Sequence, residues 1–588
     1  MSTRTGRWGR RYFWGNDMTT FDLLIRGGTL VDGTGSAPRV ADIGVKDGVI
    51  AAIGNLGDDA ARVIDATGQY VTPGFIDQHT HYDAQVFWDP YCSNSGEHGT
   101  TTTVMTNCGF GLAPCRPTDR DRVMLMLENT EEISSLHMRT NLPWDWETWG
   151  DLRRTMDALP KGLNMTSYIP MNPLMLYVMG PDGVKGRRLT PNEIAEMRRI
   201  VGEAMDLGAA GVSVSLMGTG NSHRDFDGSP MPSDVMHVDD VIAVCQELTE
   251  RNKGMIQVIS QIGPGGDRTN SEKIAMGTGR PVNHNVFLAI SDDAYAADIE
   301  WLDRVVAAGA DMWVHALLYP GWTEGSIEQL NTSYGMQPEV NELVLASDSP
   351  EHVLELVTTP AYRERFRSNY RPEIFPTPGG FDQIIVLAND DPSEADQYRG
   401  RTLADIAASR GTHVVDALLD VIIAGNGHFR YRTATFINPD PEMARRYWQH
   451  PRVLVGASDG GAHVKSMALG CWTTFFLIDR VRDLNLVPIE EMVHQMTLKP
   501  ANALALGDRG SIEIGKTADV LVFDLASLYF DMSQYEHVYD LPNGDWRKMA
   551  KAGGYSYIVV NGEITHDHDK PTGVTPGRLV APVAQASR

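Results

Sequence analysis

Short apolar runs alternate with longer amphipathic stretches through the middle of this chain, while both ends have a different pattern of apolar and polar residues. Eight of these runs have the length and β-branched character of buried strands. Apolar positions spaced three and four residues apart separate several of them and predict helices over residues 191–207, 238–252 and 296–308. The eight predicted strands are residues 71–76, 101–106, 165–169, 211–216, 255–260, 282–287, 311–317 and 453–457.

Alternating strands and helices are typical of an α/β protein with a parallel sheet, and eight such units predict a (β/α)8 TIM barrel. We expect this barrel over residues 75–502, with two long insertions at residues 109–164 and 318–450. Catalytic groups of such barrels lie at the C-terminal ends of the strands. Long loops on that face usually form lids or walls of a binding site.

The two ends of the chain alternate short apolar runs with glycine-containing turns. This texture is typical of small antiparallel β units, and it occurs both near the start of the chain and near its end. We therefore predict one small β-sandwich domain formed from residues 21–74 and 503–580. Residues 1–20 contain no apolar pattern of this kind and are predicted to be a disordered extension.

Composition and charge exclude several classes of partner. The 588 residues carry a formal net charge of −25, so the phosphate backbone of a nucleic acid would be repelled. No run of about 18 apolar residues is present, which argues against a membrane-spanning helix. Five scattered cysteines predict a reducing compartment without disulfides, and hence a cytoplasmic protein. Homo-oligomerisation through the insertions is left open.

The candidate chemistry begins with His79 and His81, two residues apart just after the first predicted strand. Side chains at positions i and i+2 of a strand share one face, so both imidazoles can reach one metal ion. Cys108 follows the second strand, and Asp459 follows the eighth, which neighbours the first in a closed barrel. Imidazole, thiolate and carboxylate donors together suit Zn²⁺ best among common ions. We predict that all four ligate metal and that Asp459 is also the general base.

Structural alternatives exist for each of these residues and for three further histidines. Cys108 could be a small buried hydrophobe, and Asp459 could cap a helix. His284, at the sixth strand, is a further candidate metal ligand. His315, in the seventh strand, is either a core residue or a substrate contact. His463 either binds substrate or stabilises the turn after Asp459.

A phosphate-loop pattern at residues 510–517 is a weak signal. The spacing GxxxxGK[ST] binds phosphate only between a strand and a helix. Here the following residues, 518–523, are strongly strand-forming. We therefore predict a β turn and no nucleotide site.

Several motifs together resemble the amidohydrolase superfamily, and in particular its N-acyl-D-amino-acid deacylase (D-aminoacylase) branch. They are Pro73-Gly-Phe-Ile-Asp-Gln-His-Thr-His81, Asn107-Cys-Gly109, Gly456-Ala-Ser-Asp459, Asp508-Arg-Gly510 and Gly515-Lys-Thr-Ala-Asp519. The resemblance implies a metal-dependent barrel with a flanking β-sandwich. It assigns His79 and His81 to the first strand's ligands, Cys108 to the cysteine ligand, His284 to the sixth strand's ligand and Asp459 to the eighth strand's aspartate.

The resemblance also implies the reaction. Such enzymes hydrolyse an amide C–N bond of an N-acyl amino acid or a similar N-acylated small molecule with metal-activated water. Members of the branch carry a histidine at the end of the fifth strand, and residues 254–260 contain none. One tight Zn²⁺ site is therefore expected, and a second metal, completed by Gln257 or His315, is left open. Two alternatives also stay open: a hydantoinase-like cyclic amidase, and a non-catalytic barrel acting as a binding or scaffold protein.

Overall fold

The computed structural model describes residues 20–221, 223–261, 266–289, 291–372, 379–389, 391–433, 440–530 and 535–583. The predicted N-terminal extension lies outside these residues except for its last position, Thr20.

Strands from the two ends of the chain form one mixed sheet of nine strands. They are β1 (Phe21–Leu30), β2 (Arg39–Lys46), β3 (Val49–Gly54), β4 (Ala60–Asp65), β5 (Tyr70–Pro73), β18 (Val520–Phe523), β23 (Tyr555–Val560), β24 (Glu563–Asp567) and β25 (Lys570–Pro571). The two ends meet where β5 pairs antiparallel with β18, with Val71 opposite Val522. Buried side chains from both ends, among them Ile43 and Val520, form a core of their own beneath this sheet.

The middle of the chain has parallel strands at all eight predicted positions, in two sheets whose order follows the chain. These strands are β6 (Phe75–Asp77), β7 (Thr100–Met105), β8 (Asn164–Ser167), β9 (Ile169–Pro170), β10 (Gly211–Ser215), β11 (Met255–Ile259), β12 (Val282–Leu288), β13 (Met312–Leu317) and β17 (Val453–Val455). The predicted third strand is present as β8 and β9, on either side of Tyr168. An isolated parallel bridge between Thr80 and Gly460 joins the segments that follow β6 and β17.

The predicted first strand, residues 71–76, is divided between the two kinds of sheet. Its first half is the end of β5, and its second half begins β6, with Gly74 between them. A Cβ at position 74 would lie 2.1 Å from the Thr101 hydroxyl oxygen, so only glycine allows this close crossing. The chain thus passes directly from the mixed sheet into the parallel strands, and it delivers His79 and His81 just beyond β6.

Helices pack against the parallel strands, and the three predicted helices are all present. The helices are α1 (Arg120–Glu131), α2 (Ser135–Asn141), α3 (Trp149–Ala158), α4 (Met171–Met179), α5 (Pro191–Asp206), α6 (Val238–Arg251), α7 (Thr269–Thr278), α8 (Asp292–Ala307), α9 (Leu330–Tyr334), α10 (Pro338–Leu345), α11 (Pro350–Thr358), α12 (Pro360–Asn369), α13 (Leu403–Arg410), α14 (Val414–Ala424), α15 (Pro441–Gln449), α16 (Trp472–Phe475), α17 (Ile489–Met496) and α18 (Leu498–Ala503). Helix α8 begins four residues before its predicted start because the Ser291 hydroxyl accepts a hydrogen bond from the Ala294 N–H as an N-cap. Within the described ranges, no helix has the length and apolar character needed to cross a membrane.

The predicted insertion over residues 318–450 has its own hydrophobic core. Leu330, Phe366 and Leu418 are fully buried there, in a cluster separate from the one around the parallel strands. A small sheet of β14 (Glu324–Ser326), β15 (Ile385–Val386) and β16 (Arg430–Arg432) belongs to it. The remaining strands are β19 (Tyr529–Phe530), β20 (Glu536–Val538), β21 (Arg547–Met549) and β22 (Ala552–Gly553).

A buried ion pair joins the mixed sheet to the parallel strands. Arg509 Nη1 lies 2.7 Å from Asp519 Oδ2, and the two side chains are 3% and 4% exposed. Asp519 also accepts hydrogen bonds from the Asn164 side chain on β8 and from the Asn561 backbone N–H. Strand β18 follows this segment. The phosphate-loop pattern at residues 510–517 is therefore part of a β connection, as predicted.

Replacing Asp519 by alanine is expected to destabilise the protein by up to about 3–5 kcal/mol, because Arg509 would lose its buried partner and keep only Asp508 as an acidic partner, whose side chain is 59% exposed. Asp58→Ala is the matched control, since Asp58 pairs with Arg26 at 2.8 Å but is 70% exposed. That change should cost less than about 1 kcal/mol. Thermal and urea denaturation of the two variants measure the difference, and equal midpoints would contradict a structural role for the buried pair.

Candidate metal centre

Three donor side chains gather beyond the ends of β6 and β7. One ligand atom from each of His79, His81 and Cys108 lies within 4.8 Å of the others, and all three residues are buried. Cys108 Sγ is 3.3 Å from His79 Nε2. Nitrogen and sulfur donors at this spacing are the ligand types that zinc sites use.

Asp459 reaches the same cluster from the turn after β17. Its Oδ1 atom lies 3.0 Å from His79 Nε2 and 3.5 Å from His81 Nε2. Desolvation opposes its ionisation, but the imidazoles of His79 and His81 outweigh that effect and hold the pKa of Asp459 well below its usual range. The Asp459 side chain is 40% exposed, in contrast to the buried imidazoles. A charged carboxylate that solvent can reach is placed to take a proton from a water molecule.

Non-glycine residues with left-handed backbone occur repeatedly around this cluster. The φ angles are 64° at Thr106, 57° at Cys108, 51° at Asp459 and 52° at His463. A β-branched residue is an outlier in this region. Asp83 holds Thr106 there by accepting hydrogen bonds from its N–H at 3.1 Å and its hydroxyl at 2.5 Å. Strained positions of this kind persist where the surrounding structure enforces them, often at functional sites.

The turn after Asp459 packs directly on the segment that carries the two histidines. The Asp459 N–H donates to the His79 carbonyl at 3.0 Å, and the His81 N–H donates to the Gly460 carbonyl at 2.7 Å. Gly461 has a φ of 92°, and a Cβ there would lie 2.8 Å from the His81 carbonyl carbon and oxygen. Glycine at this position therefore permits the close approach that brings Asp459 to the imidazoles.

His315 lies behind His79. Its Nδ1 is 3.4 Å from His79 Nδ1, and its Nε2 is 2.7 Å from the Asn283 side-chain amide. Burial, followed by the nearby charge of His79, lowers the pKa of His315 well below its usual range, so the ring is neutral and can accept a hydrogen bond. His315 is fully buried, which favours the core alternative over the substrate contact. Its position suits a residue that orients a ligating histidine.

The two ring nitrogens of His81 have no hydrogen-bond partner among the described residues. Burial alone would lower the pKa of His81, but the charges of Glu131 and Asp459 outweigh burial and raise it to about 8. Leaving a buried polar atom unpartnered is costly. A metal ion would supply the missing partner, so the residues present fit the divalent metal that the sequence predicts.

The surroundings of Cys108 also favour the binding of a cation. Burial, together with the charges of Glu131 and Asp459, raises the pKa of Cys108 well above its usual range. The thiolate that ligates metal is therefore favoured only when a positive charge is close by. The Cys108 N–H donates to Gln257 Oε1 at 2.7 Å. Gln257, on β11, thus holds the cysteine backbone with the oxygen that could otherwise have completed a second metal site.

His284 is not part of the cluster, contrary to the prediction. Alternation along β12 turns Asn283 and Asn285 towards His315 and Cys108, so His284 faces the opposite side of the strand. Its Nδ1 is 2.9 Å from the Ser271 hydroxyl on α7, and its ring packs 5.2 Å from that of Trp301 on α8. The expected role as a ligand is therefore not supported by its position between strand and helices.

The insertion over residues 109–164 contributes two carboxylates that the sequence reasoning missed. Glu131 Oε2 lies 3.7 Å from His463 Nε2, and Glu132 Oε1 lies 3.8 Å from His463 Nδ1. Burial opposes protonation of His463, but Glu132 and Glu131 outweigh it and raise its pKa to about 9. Two adjacent acidic residues in an insertion were the only sequence signal, and such pairs are common on solvent-facing helices.

The loop after β10 adds another histidine that no motif marked. His223 Nδ1 is buried and has no hydrogen-bond partner in the described part of the chain. Burial lowers the pKa of His223, and it lies within electrostatic reach of Glu131, Asp234, His463 and Asp459. Asp234 is itself held by the Met217 N–H at 2.9 Å and the Asn221 side chain at 3.1 Å.

Known proteins match nearly the whole chain. The model of a family described as "Amidohydrolase family" matches residues 62–344 and 392–566. An uncharacterized protein of Mycobacterium tuberculosis is 28% identical over 573 residues, covering 92% of this chain and 91% of its own length. The D-aminoacylase of Alcaligenes xylosoxydans xylosoxydans is 27% identical over 576 residues, covering 97% of this chain and 99% of its own.

A solved structure gives a similar result for the fold. The crystal structure of N-acyl-D-glutamate deacylase from Bordetella bronchiseptica, complexed with zinc and a phosphonate inhibitor, matches with a TM-score of 0.62 at 24% identity. The match covers 95% of this chain and 99% of that one.

Replacing Gly461 by alanine is expected to lower both stability and metal content. The new Cβ would press on the His81 carbonyl, so the backbone must move and shift His81 relative to Asp459. Left-handed strain adds about 1–2 kcal/mol. Gly515→Ala is the control, because Gly515 has a φ of 89° and no heavy atom within 4 Å of the added Cβ. Zinc per chain, measured by elemental analysis, should fall only in Gly461→Ala; equal zinc in both variants would rule out this account.

Proposed function

Because this chain belongs to the amidohydrolase family, we propose that its donor cluster binds Zn²⁺ and hydrolyses the amide bond of an N-acyl amino acid. The chain is a hydrolase that acts on C–N amide bonds, and its relatives support a metal-dependent reaction. The observation that carries the proposal is the convergence of three buried donors with Asp459, whose Oδ1 is 3.0 Å from His79 Nε2.

His79, His81, Cys108 and Asp459 are the residues proposed to hold one zinc ion. Their nitrogen, sulfur and carboxylate donors match the preference of zinc over calcium or magnesium, which favour oxygen alone. A zinc ion bound there supplies a Lewis acid and lowers the pKa of water to about 7. His315 Nδ1 lies 3.4 Å from His79 Nδ1, which supports a role for His315 in keeping the His79 ring in place.

Asp459 is proposed to move the proton. It takes a proton from the attacking water as the amide carbon becomes tetrahedral, and it then delivers that proton to the leaving nitrogen. Its partial exposure and its ionised state support this role. His463, four residues later and protonated at neutral pH, is proposed to contact the substrate.

An N-acyl-D-amino acid is the proposed substrate. Support comes from the D-aminoacylase of Alcaligenes xylosoxydans xylosoxydans, which is 27% identical along 97% of this chain. Hydrolysis of a cyclic amide at the same centre is an outcome that the substrate test below distinguishes.

We also propose that the two parallel sheets are arcs of one closed (β/α)8 barrel over residues 75–502. The bridge from Thr80 to Gly460 supports closure between the first and last strands. The strands of residues 21–74 and 503–580 would then form the flanking β domain, a view supported by their separate core.

Wild-type protein loaded with zinc is expected to release free amino acid from N-acyl-D-amino acids faster than from N-acyl-L-amino acids or hydantoins. Asp459→Asn should lower kcat by about 10²–10⁴-fold, because the amide side chain cannot accept a proton. Asp58→Asn, in the exposed loop between β3 and β4, is the control and should keep wild-type turnover. Amino-acid release measured by chromatography gives the rates. Full activity of Asp459→Asn would exclude its proposed role, and turnover of hydantoins alone would replace the substrate class.

Cys108→Ala is expected to lower the zinc content of purified protein well below one ion per chain. Loss of the thiolate removes a ligand that reaches within 3.3 Å of His79 Nε2. Cys245→Ala is the matched control, because Cys245 is equally buried but lies on helix α6, away from the cluster. Elemental analysis should find wild-type zinc in the control, and unchanged zinc in Cys108→Ala would refute the cysteine as a ligand.

A further inference from the structure

We infer that Glu131, the last residue of α1 in the insertion over residues 109–164, is a further ligand of the metal centre. This inference rests on the proposed function and deepens it. The insertion would then complete the metal site itself, in place of the donors that the fifth and sixth parallel strands do not provide.

The fifth and sixth parallel strands, β11 and β12, place side-chain amides at the site. On β11, Gln257 uses its carbonyl oxygen to accept from the Cys108 N–H. On β12, the Asn283 amide contacts His315, and His284 faces the helices. These strands thus offer amides that hold other residues, and among the described residues the donors gathered at this site follow β6, β7 and β17. A carboxylate from elsewhere would complete the set.

The Glu131 side chain is buried between two imidazoles. It is 3% exposed, and each carboxylate oxygen faces an imidazole nitrogen: Oε1 lies 3.7 Å from His81 Nε2, and Oε2 lies 3.7 Å from His463 Nε2. Both distances exceed the 2.7–3.2 Å of an N–H···O hydrogen bond. His463 stands opposite one carboxylate oxygen as an ion-pair partner, which leaves the oxygen that faces His81 available to a metal ion. The His81 ring itself lacks hydrogen bonds within the described residues.

The spacing between the donor atoms resembles that of ligands around one ion. Successive separations are 3.3 Å from Cys108 to His79, 3.0 Å from His79 to Asp459, 3.5 Å from Asp459 to His81 and 3.7 Å from His81 to Glu131. Two ligands of one zinc ion, each about 2.0–2.3 Å from it, stand roughly 3–4 Å apart, depending on whether the ion has four or five ligands. The contact between His81 and Glu131 is therefore too long for a hydrogen bond and close to the spacing of two atoms that share an ion.

A backbone hydrogen bond fixes the position of Glu131. The His463 N–H donates to the Glu131 carbonyl at 2.6 Å, so the end of α1 is docked on the turn that follows Asp459. Glu132 has a φ of 56° and ends the helix immediately after it. The C-terminal end of a helix carries a partial negative charge, which favours a cation beside Glu131.

The test measures zinc affinity and the cobalt(II) absorption spectrum of the whole chain, not activity. Apoprotein prepared with a chelator is titrated with Zn²⁺ against a chromophoric competitor, and the Co²⁺ form is examined for its ligand-field bands. Glu131→Gln should bind zinc at least about 100-fold more weakly than wild type, and its Co²⁺ bands should shift. Loss of a residue that only orients a ligand costs about 10–100-fold. Glu128→Gln is the control on the same helix, where Glu128 accepts from the Ser135 N–H, and it should behave as wild type.

The outcomes separate this inference from the proposed function. Unchanged Co²⁺ bands in Glu131→Gln would overturn the ligand assignment even if affinity fell, since Glu131 would then act only as an ion-pair partner. Wild-type protein that binds no stoichiometric zinc would overturn the metal centre as a whole. If circular dichroism shows that Glu131→Gln does not fold, Glu131→Asp replaces it, with the same shift of the Co²⁺ bands expected.

Discussion

Buried donors that are anionic when they bind a metal can stay together only if a positive charge lies between them. Cys108 and Glu131 are buried beside two imidazoles, and Asp459 joins them with a side chain that is 40% exposed; burial, together with the charges of Glu131 and Asp459, raises the pKa of the Cys108 thiol well above its usual range. Removing such charges from water costs several kcal/mol each unless they are paired. A divalent cation would meet that requirement, and the same cation would supply the chemistry of the proposed amide hydrolysis. Structure and function at this site therefore depend on one electrostatic condition.

The main chain brings these donors together through close contacts that few residue types could make. Glycine at position 461 lets the turn of Asp459 lie against the His81 carbonyl, and the left-handed conformations of Thr106 and Cys108 turn the end of β7 towards it. Hydrogen bonds from Asp459 and His81 to the opposite segments secure the two strand ends. The donors are thus placed by rigid main chain, which favours a site that is organised before substrate arrives.

The chain differs from the branch that it resembles at the fifth and sixth parallel strands, and these differences have a physical explanation. The fifth strand presents Gln257, which holds the Cys108 backbone, and the sixth presents asparagines where a ligating histidine was expected. Helix α1 brings Glu131 to the opposite side of the cluster. Parallel strands of an α/β fold keep their positions while loops vary, so a ligand carried by an insertion, as proposed for Glu131, can differ between relatives without disturbing the fold.

The sequence alone predicted the positions of the eight parallel strands, the pairing of the two ends and the proximity of His79, His81, Cys108 and Asp459, because each depends on local periodicity or on a strand end; the roles of these residues as ligands stay predictions. It was not sufficient for His284, whose face of β12 depends on the exact register of the strand, since a shift of one residue reverses a side chain. Nor did it identify Glu131, because nothing local distinguishes a helix-terminal glutamate on a surface from one that is folded against a distant turn. Local pattern determines which residues can face inwards, and only tertiary packing decides which of them meet.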